Sequence, residues 1–189
     1  VLYVQEDIAD RIVALIQGAM QELSVGKPYL HSTDVGPVID STAKTKLVKH
    51  IEHMTATEKK VAELTLGEEH QYGDFVAPSA FEIRDISCLK EEQFGPILHI
   101  VRFKASELHQ VVEQINNTGF GLTMGIHSRN ETTYRWIEKH ARVGNCYINR
   151  DQVGAVVGVQ PFGGQGLSGT GPKAGGPHYL FRFTQTQFS

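Results

Sequence analysis

Apolar residues recur along the first third of the chain with helical spacing. Ile8, Ile12, Leu15, Ile16, Ala19 and Leu23 fall on one face of a helix. Gly26 and Pro28 close that segment. Asp40 or Ser41 stands where an N-cap is needed, and Ala43, Leu47, Ile51 and Met54 give a second helical face. Further on, Leu108, Val111, Val112 and Ile115 predict a third helix. Ser128 with Glu131 forms a capping-box pattern ahead of a fourth, which carries Tyr134, Ile137 and Ala141 and stops at Gly144. Between these lie short runs rich in strand formers: 1–5, 61–66, 97–103, 122–127 and 146–148. Residues 73–83 add a strand interrupted at Pro78, as an edge strand allows. Strands separated by helices predict an α/β fold with a mostly parallel sheet and flanking helices.

The last third departs from this rhythm. Residues 153–177 are dominated by Gly and Pro without periodicity, and a loop of that length is more often functional than a plain connector. After it, Tyr179, Phe181 and Phe183 alternate with Leu180, Arg182 and Thr184, which predicts a strand. A strand that apolar at a sheet edge calls for a partner outside the segment.

Composition narrows the classes. The 189 residues are 40% apolar and 21% charged, with a formal net charge of -3. That balance gives neither a nucleic-acid footprint nor a polybasic membrane anchor. Apolar runs are a few residues long, against the roughly 20 that a spanning helix needs. The chain opens on strand residues without a Met or a basic leader and ends without a cap, which predicts a piece of a longer polypeptide. Cys88 and Cys146 lack metal-type spacing and fit a reducing, cytoplasmic setting.

Candidate chemistry begins at Glu92-Gln93-Phe94-Gly95-Pro96. A carboxylate accepts hydrogen bonds from two adjacent sugar hydroxyls, and an aromatic two positions on packs against a cofactor ring. Gly-Pro fixes the backbone so that both point one way. Taken alone, these residues fit a helix end or turn with solvated acids better than a cofactor site. Three more segments change the balance. They are Val35-Gly36-Pro37-Val38-Ile39, then Asn116 to Leu122 ending Gly119-Phe120-Gly121-Leu122, then Pro161-Phe162-Gly163-Gly164 followed by Ser168-Gly169.

In this order the four segments resemble the aldehyde dehydrogenase superfamily, with Phe120 where the family usually has Tyr. The resemblance implies a partial catalytic domain over 1–178, with a substrate-anchor loop at 153–177, and a strand of an oligomerisation flap over 179–189. It implies NAD as cofactor, with Glu92 on the nicotinamide ribose and Phe94 packed near the nicotinamide. In that family a cysteine thiolate attacks the aldehyde, hydride passes to the nicotinamide, and a Glu-activated water hydrolyses the thioester. The nucleophilic Cys, the general-base Glu and the dinucleotide-binding domain would all lie upstream, so no catalytic residue falls in this chain and the isolated chain is expected to be inactive.

A narrower resemblance runs from Gly144-Asn145-Cys146-Tyr147-Ile148-Asn149 through Gly154-Ala155 and Gly158 to Gly175-Gly176-Pro177-His178-Tyr179. It is to the glutamate semialdehyde dehydrogenases, in particular those of bifunctional bacterial proline-utilisation enzymes. It implies that the Gly154 and Ala155 N–H groups bind the carboxylate of L-glutamate semialdehyde and that Phe162 covers its aliphatic part. It also implies a homo-oligomer, a dimer by the family's habit, and an FAD-dependent proline dehydrogenase domain outside this chain. The setting would be cytoplasmic, with a peripheral position at the inner membrane open to the parent. Two alternatives stand beside this: a fragment of another aldehyde dehydrogenase, or a non-catalytic assembly module.

Other features read as decoys. His50 and His53, one helical turn apart, resemble half of a metal site but lack a third ligand, and a solvated helix face is the expectation. Cys146 reads as a small buried hydrophobe. Gly163-Gly164-Gln165-Gly166 lacks the Lys-Ser/Thr of a phosphate loop. Trp136 reads as core or interface.

Overall fold

The computed structural model of the chain describes residues 1–185. It separates into two compact units, Val1–Glu107 and Leu108–Ser189, where the sequence suggests one partial domain over 1–178.

The first unit is built on a four-stranded sheet. In chain order it contains β1 (Leu2–Gln5), α1 (Glu6–Gln21), α2 (Ser41–Thr57), β2 (Lys59–Glu63), β3 (Ser79–Glu82) and β4 (Ile97–Phe103). The strands lie in the order β1-β4-β3-β2, with β1, β4 and β3 parallel and only β2 antiparallel at the edge. Side chains alternate across the sheet, so each face gathers its own core. On one face Phe81, Ile83 and Val101 meet Met54 and Ile51 of α2. On the other, Val4 and Ile100 meet Ala9, Ile12, Val13 and Ile16 of α1. The stripe read for α2 clamps one side of the sheet; on α1 the packed face is Ala9, Ile12, Val13 and Ile16, while Ile8 and Leu15 of the stripe read from the sequence face solvent. Asp40 caps α2, its side chain accepting from the Ala43 N–H at 2.8 Å.

The second unit holds α3 (Leu108–Asn117), β5 (Phe120–Gly121), β6 (Thr123–Ile126), α4 (Glu131–His140), β7 (Asn145–Ile148) and β8 (Gln165–Gly166). β6, α4 and β7 form a parallel β-α-β unit, and β5 pairs antiparallel with β8. Trp136 of α4 is half-buried, stacked between His109 and His140 with ring centroids 4.0 and 4.3 Å away.

Two expectations are corrected. The N-cap of α4 is Asn130, whose side chain accepts from the Thr133 N–H, rather than Ser128. Ser128 is occupied elsewhere, its hydroxyl accepting from the Asn130 N–H at 3.1 Å. Tyr179–Phe183 forms a 3-10 helix instead of a strand. The N–H groups of Phe181 and Thr184 bond back to the carbonyls of His178 and Phe181. A strand must exchange these bonds with a neighbour, and none lies beside this segment among the described residues. The end of the expected flap strand, residues 186–189, lies outside the described residues.

Candidate functional site

In the first unit the Glu92-to-Pro96 segment is a tight turn running into the amino end of β4. The Gly95 N–H reaches the Gln93 carbonyl at 3.0 Å and the Ile97 N–H reaches the Gly95 carbonyl at 2.8 Å. Glu92 is exposed, and among the described residues its carboxylate makes no ion pair or side-chain hydrogen bond. The Phe94 ring is 84% exposed. An uncommitted carboxylate can accept from a pair of sugar hydroxyls, and an exposed ring face can pack on a flat ligand ring.

Behind the turn stands α2. The Lys46 ammonium lies 3.0 Å from the Glu91 carboxylate and holds it below the usual carboxylate range. A Cβ on Gly95 would sit 2.5 Å from Leu47 Cδ1, so the turn can press this closely only with Gly there. One turn along α2, His50 Nε2 lies 2.8 Å from His99 Nε2. His99 is buried on β4, and burial pushes its pKa down to about 4. The expected solvated role of His50 is thus corrected: it is half-buried and partnered, and its own pKa is lowered by burial and by His53. No group of three metal-ligating side chains occurs among the described residues.

In the second unit the Gly- and Pro-rich loop leaves the carboxyl end of β7, the end of a parallel sheet where ligands usually bind. Asn149 makes the exit, at φ 54, with its amide bonded twice to the Ser128 backbone at 2.9 Å. Asp151 accepts from the Val153 N–H, and the Gln160 side chain accepts from the Val156 N–H. Between them, Gly154 and Ala155 have N–H groups with no intramolecular partner among the described residues. Gly154 has φ 76, and no neighbour stands within 4 Å of where its Cβ would be. Two adjacent free N–H groups around a left-handed residue are the elements of an anion nest.

Phe162 is fixed apart from that turn. Its N–H and carbonyl exchange hydrogen bonds with Ala174 at 3.0 and 2.9 Å. The glycines around it serve packing: a Cβ on Gly144 would fall 1.8 Å from the Gly163 carbonyl oxygen, and one on Gly164 2.3 Å from that of Ser168. The Ser168 hydroxyl accepts from the Gly121 N–H at 3.0 Å, joining two of the sequence motifs. Asn116 opens the other motif. Its side chain donates to the His140 carbonyl at 2.9 Å and accepts from the Arg142 N–H at 2.7 Å. Asn145 ties β7 to the loop, donating to the Pro161 carbonyl at 3.0 Å and accepting from the Gly163 N–H at 3.3 Å. In the sequence, the bridging roles of Asn116, Asn145 and Asn149 are marked only by Asn beside Gly-rich turns. Burial raises the pKa of the Cys146 thiol, and Cys88 packs against the core.

A three-layer unit with a mostly parallel sheet, a β-α-β unit later in the chain and a Glu-x-Phe-Gly-Pro turn define an α/β enzyme domain. The aldehyde dehydrogenase family model matches residues 1–189, and the chain belongs to that family. It is 47% identical to the bifunctional protein PutA of Klebsiella aerogenes over 99% of this chain and 15% of that protein. A crystal structure of a Bradyrhizobium japonicum proline utilization A mutant matches with a TM-score of 0.91 and 51% identity, over 96% of this chain and 18% of that one. A 1-pyrroline-5-carboxylate dehydrogenase from Thermus with bound NAD matches with a TM-score of 0.84 and 34% identity, covering 96% of this chain and 35% of that one. The chain thus spans less than a fifth of the bifunctional relatives.

Proposed function

We propose that this chain is part of an NAD-dependent dehydrogenase that oxidises L-glutamate γ-semialdehyde to L-glutamate in proline catabolism. Glu92 accepts hydrogen bonds from the nicotinamide ribose hydroxyls, and Phe94 packs beside the nicotinamide. Bound NAD supplies the hydride acceptor. Gly154 and Ala155 donate their N–H groups to the substrate carboxylate, and Phe162 covers the aliphatic chain. The bond-making Cys and the general-base Glu belong to the parent outside this segment, as does an FAD-dependent proline dehydrogenase domain. The parent is cytoplasmic and a homo-oligomer, a dimer in the simplest form. The exposure of Leu180, Phe181 and Phe183 supports a subunit contact at the C-terminal segment.

The observation that carries the substrate is the pair of unengaged N–H groups at Gly154 and Ala155, flanked by engaged ones at Val153 and Val156. The relatives' printed names point the same way. The test is a steady-state comparison of the parent enzyme on the semialdehyde and on simple aliphatic aldehydes of similar length. The anchor gives the semialdehyde a kcat/KM about 100-fold higher, the worth of one charge-assisted carboxylate contact of roughly 3 kcal/mol. Equal rates would leave the family in place and remove the substrate, favouring another aldehyde dehydrogenase.

A further inference from the structure

We infer that α2 is the seat of the cofactor-facing turn, and that Lys46 and His50 are positioning residues for the nicotinamide end of NAD. This rests on the reading of Glu92 and Phe94 given above. Three contacts reach the turn or its strand from one helix. Lys46 pairs with Glu91, Leu47 lies directly under Gly95, and His50 bonds His99, three residues beyond Pro96. Positions 46 and 50 share a stripe of the helix and 47 lies beside it, so one helix orientation satisfies all three.

Few other contacts hold the turn among the described residues. Its own bonds are short-range, the backbone pairs each spanning two residues and the Gln93 amide donating to the Glu91 carbonyl at 3.4 Å, and the Pro96 carbonyl accepts from the Ser79 N–H at 3.0 Å. Glu92 and Phe94 face solvent and contribute nothing to their own placement. The long-range side-chain contacts to Glu91, Gly95 and His99 come from α2. Positioning and stability separate here. The Lys46–Glu91 pair is half-exposed, and such pairs add little to stability, yet a small misplacement of a cofactor contact is costly in rate.

The experiment uses the parent enzyme, with Lys46→Glu, the charge-swapped double variant Lys46→Glu with Glu91→Lys, His50→Leu, His50→Gln and Glu92→Ala. Lys46→Glu is expected to raise KM for NAD about three- to tenfold, with KM for the aldehyde and the melting temperature unchanged. The swapped double variant returns KM for NAD toward the original value. His50→Leu raises it as well, and His50→Gln, which keeps a hydrogen bond to His99, largely restores it. If His50→Leu does not fold, Lys46→Glu, at an exposed position, carries the test. Unchanged NAD kinetics in Lys46→Glu and in any folded His50→Leu, alongside a raised KM in Glu92→Ala, would overturn the seat and leave the cofactor reading intact. Unchanged kinetics in Glu92→Ala would overturn both.

Discussion

A buried imidazole is costly to charge, and His99 shows where that cost falls. In the folded chain its pKa is pushed down from 6.5 to about 4, first by burial and then by the facing His50. The unfolded chain takes up the proton near pH 6.5 and the folded chain does not. This part of the stability is complete above pH 6.5 and is lost as pH falls toward 4. A gap of that size corresponds to roughly 3 kcal/mol, and His50, also lowered, adds in the same direction. Melting temperatures from pH 8 to pH 4.5 should decline steadily below pH 6.5, and a flat profile would contradict the assignment. Gly144 carries a different constraint, since a Cβ there would overlap the Gly163 carbonyl. Gly144→Ala should cost on the order of 3 kcal/mol or more, read as a lower urea midpoint. At this scale the sequence could propose Glu92, Phe94, Gly154 and Ala155 because the chemistry proposed for each is local. It could not propose the His50–His99 pair, since its members are 49 residues apart and meet only once α2 lies on the sheet.

At the scale of elements, α2 links cap to site. Asp40→Ala removes the bond to the Ala43 N–H and should cost about 1 kcal/mol. For a domain of this size that lowers the melting temperature by about 2–4 °C, measurable by calorimetry. The start of α2 could be read from the chain to within one residue, as Asp40 or Ser41, because a polar residue directly ahead of an apolar periodicity has one plain use; the fold selects Asp40. The start of α4 could not be fixed that way. Ser128 and Asn130 are both capping residues, and the choice between them follows from Asn149 holding the Ser128 backbone from 21 positions away. Tyr179–Phe183 shows the reverse case. Its alternation is a strand pattern, but alternation states which face is apolar and not whether a neighbouring strand exists to complete the bonds.

For the whole chain, the α/β class and the parallel order of the main sheet follow from helices spaced between strand segments. The division near residue 107 does not, because nothing in the local composition marks it. The purified chain should produce no NADH from semialdehyde and NAD, as its own thiols are unsuited to attack. Aldehyde-dependent absorbance at 340 nm from a preparation free of contaminating dehydrogenase would refute this. Trp136 gives a further handle. It is the single Trp of the chain, and its indole lies between His109 and His140 in the second unit. Its fluorescence emission therefore reports on the packing of α3 and α4 within the second unit. Followed beside circular dichroism during denaturation, that emission separates the melting of the second unit from the loss of helix and strand in the chain as a whole.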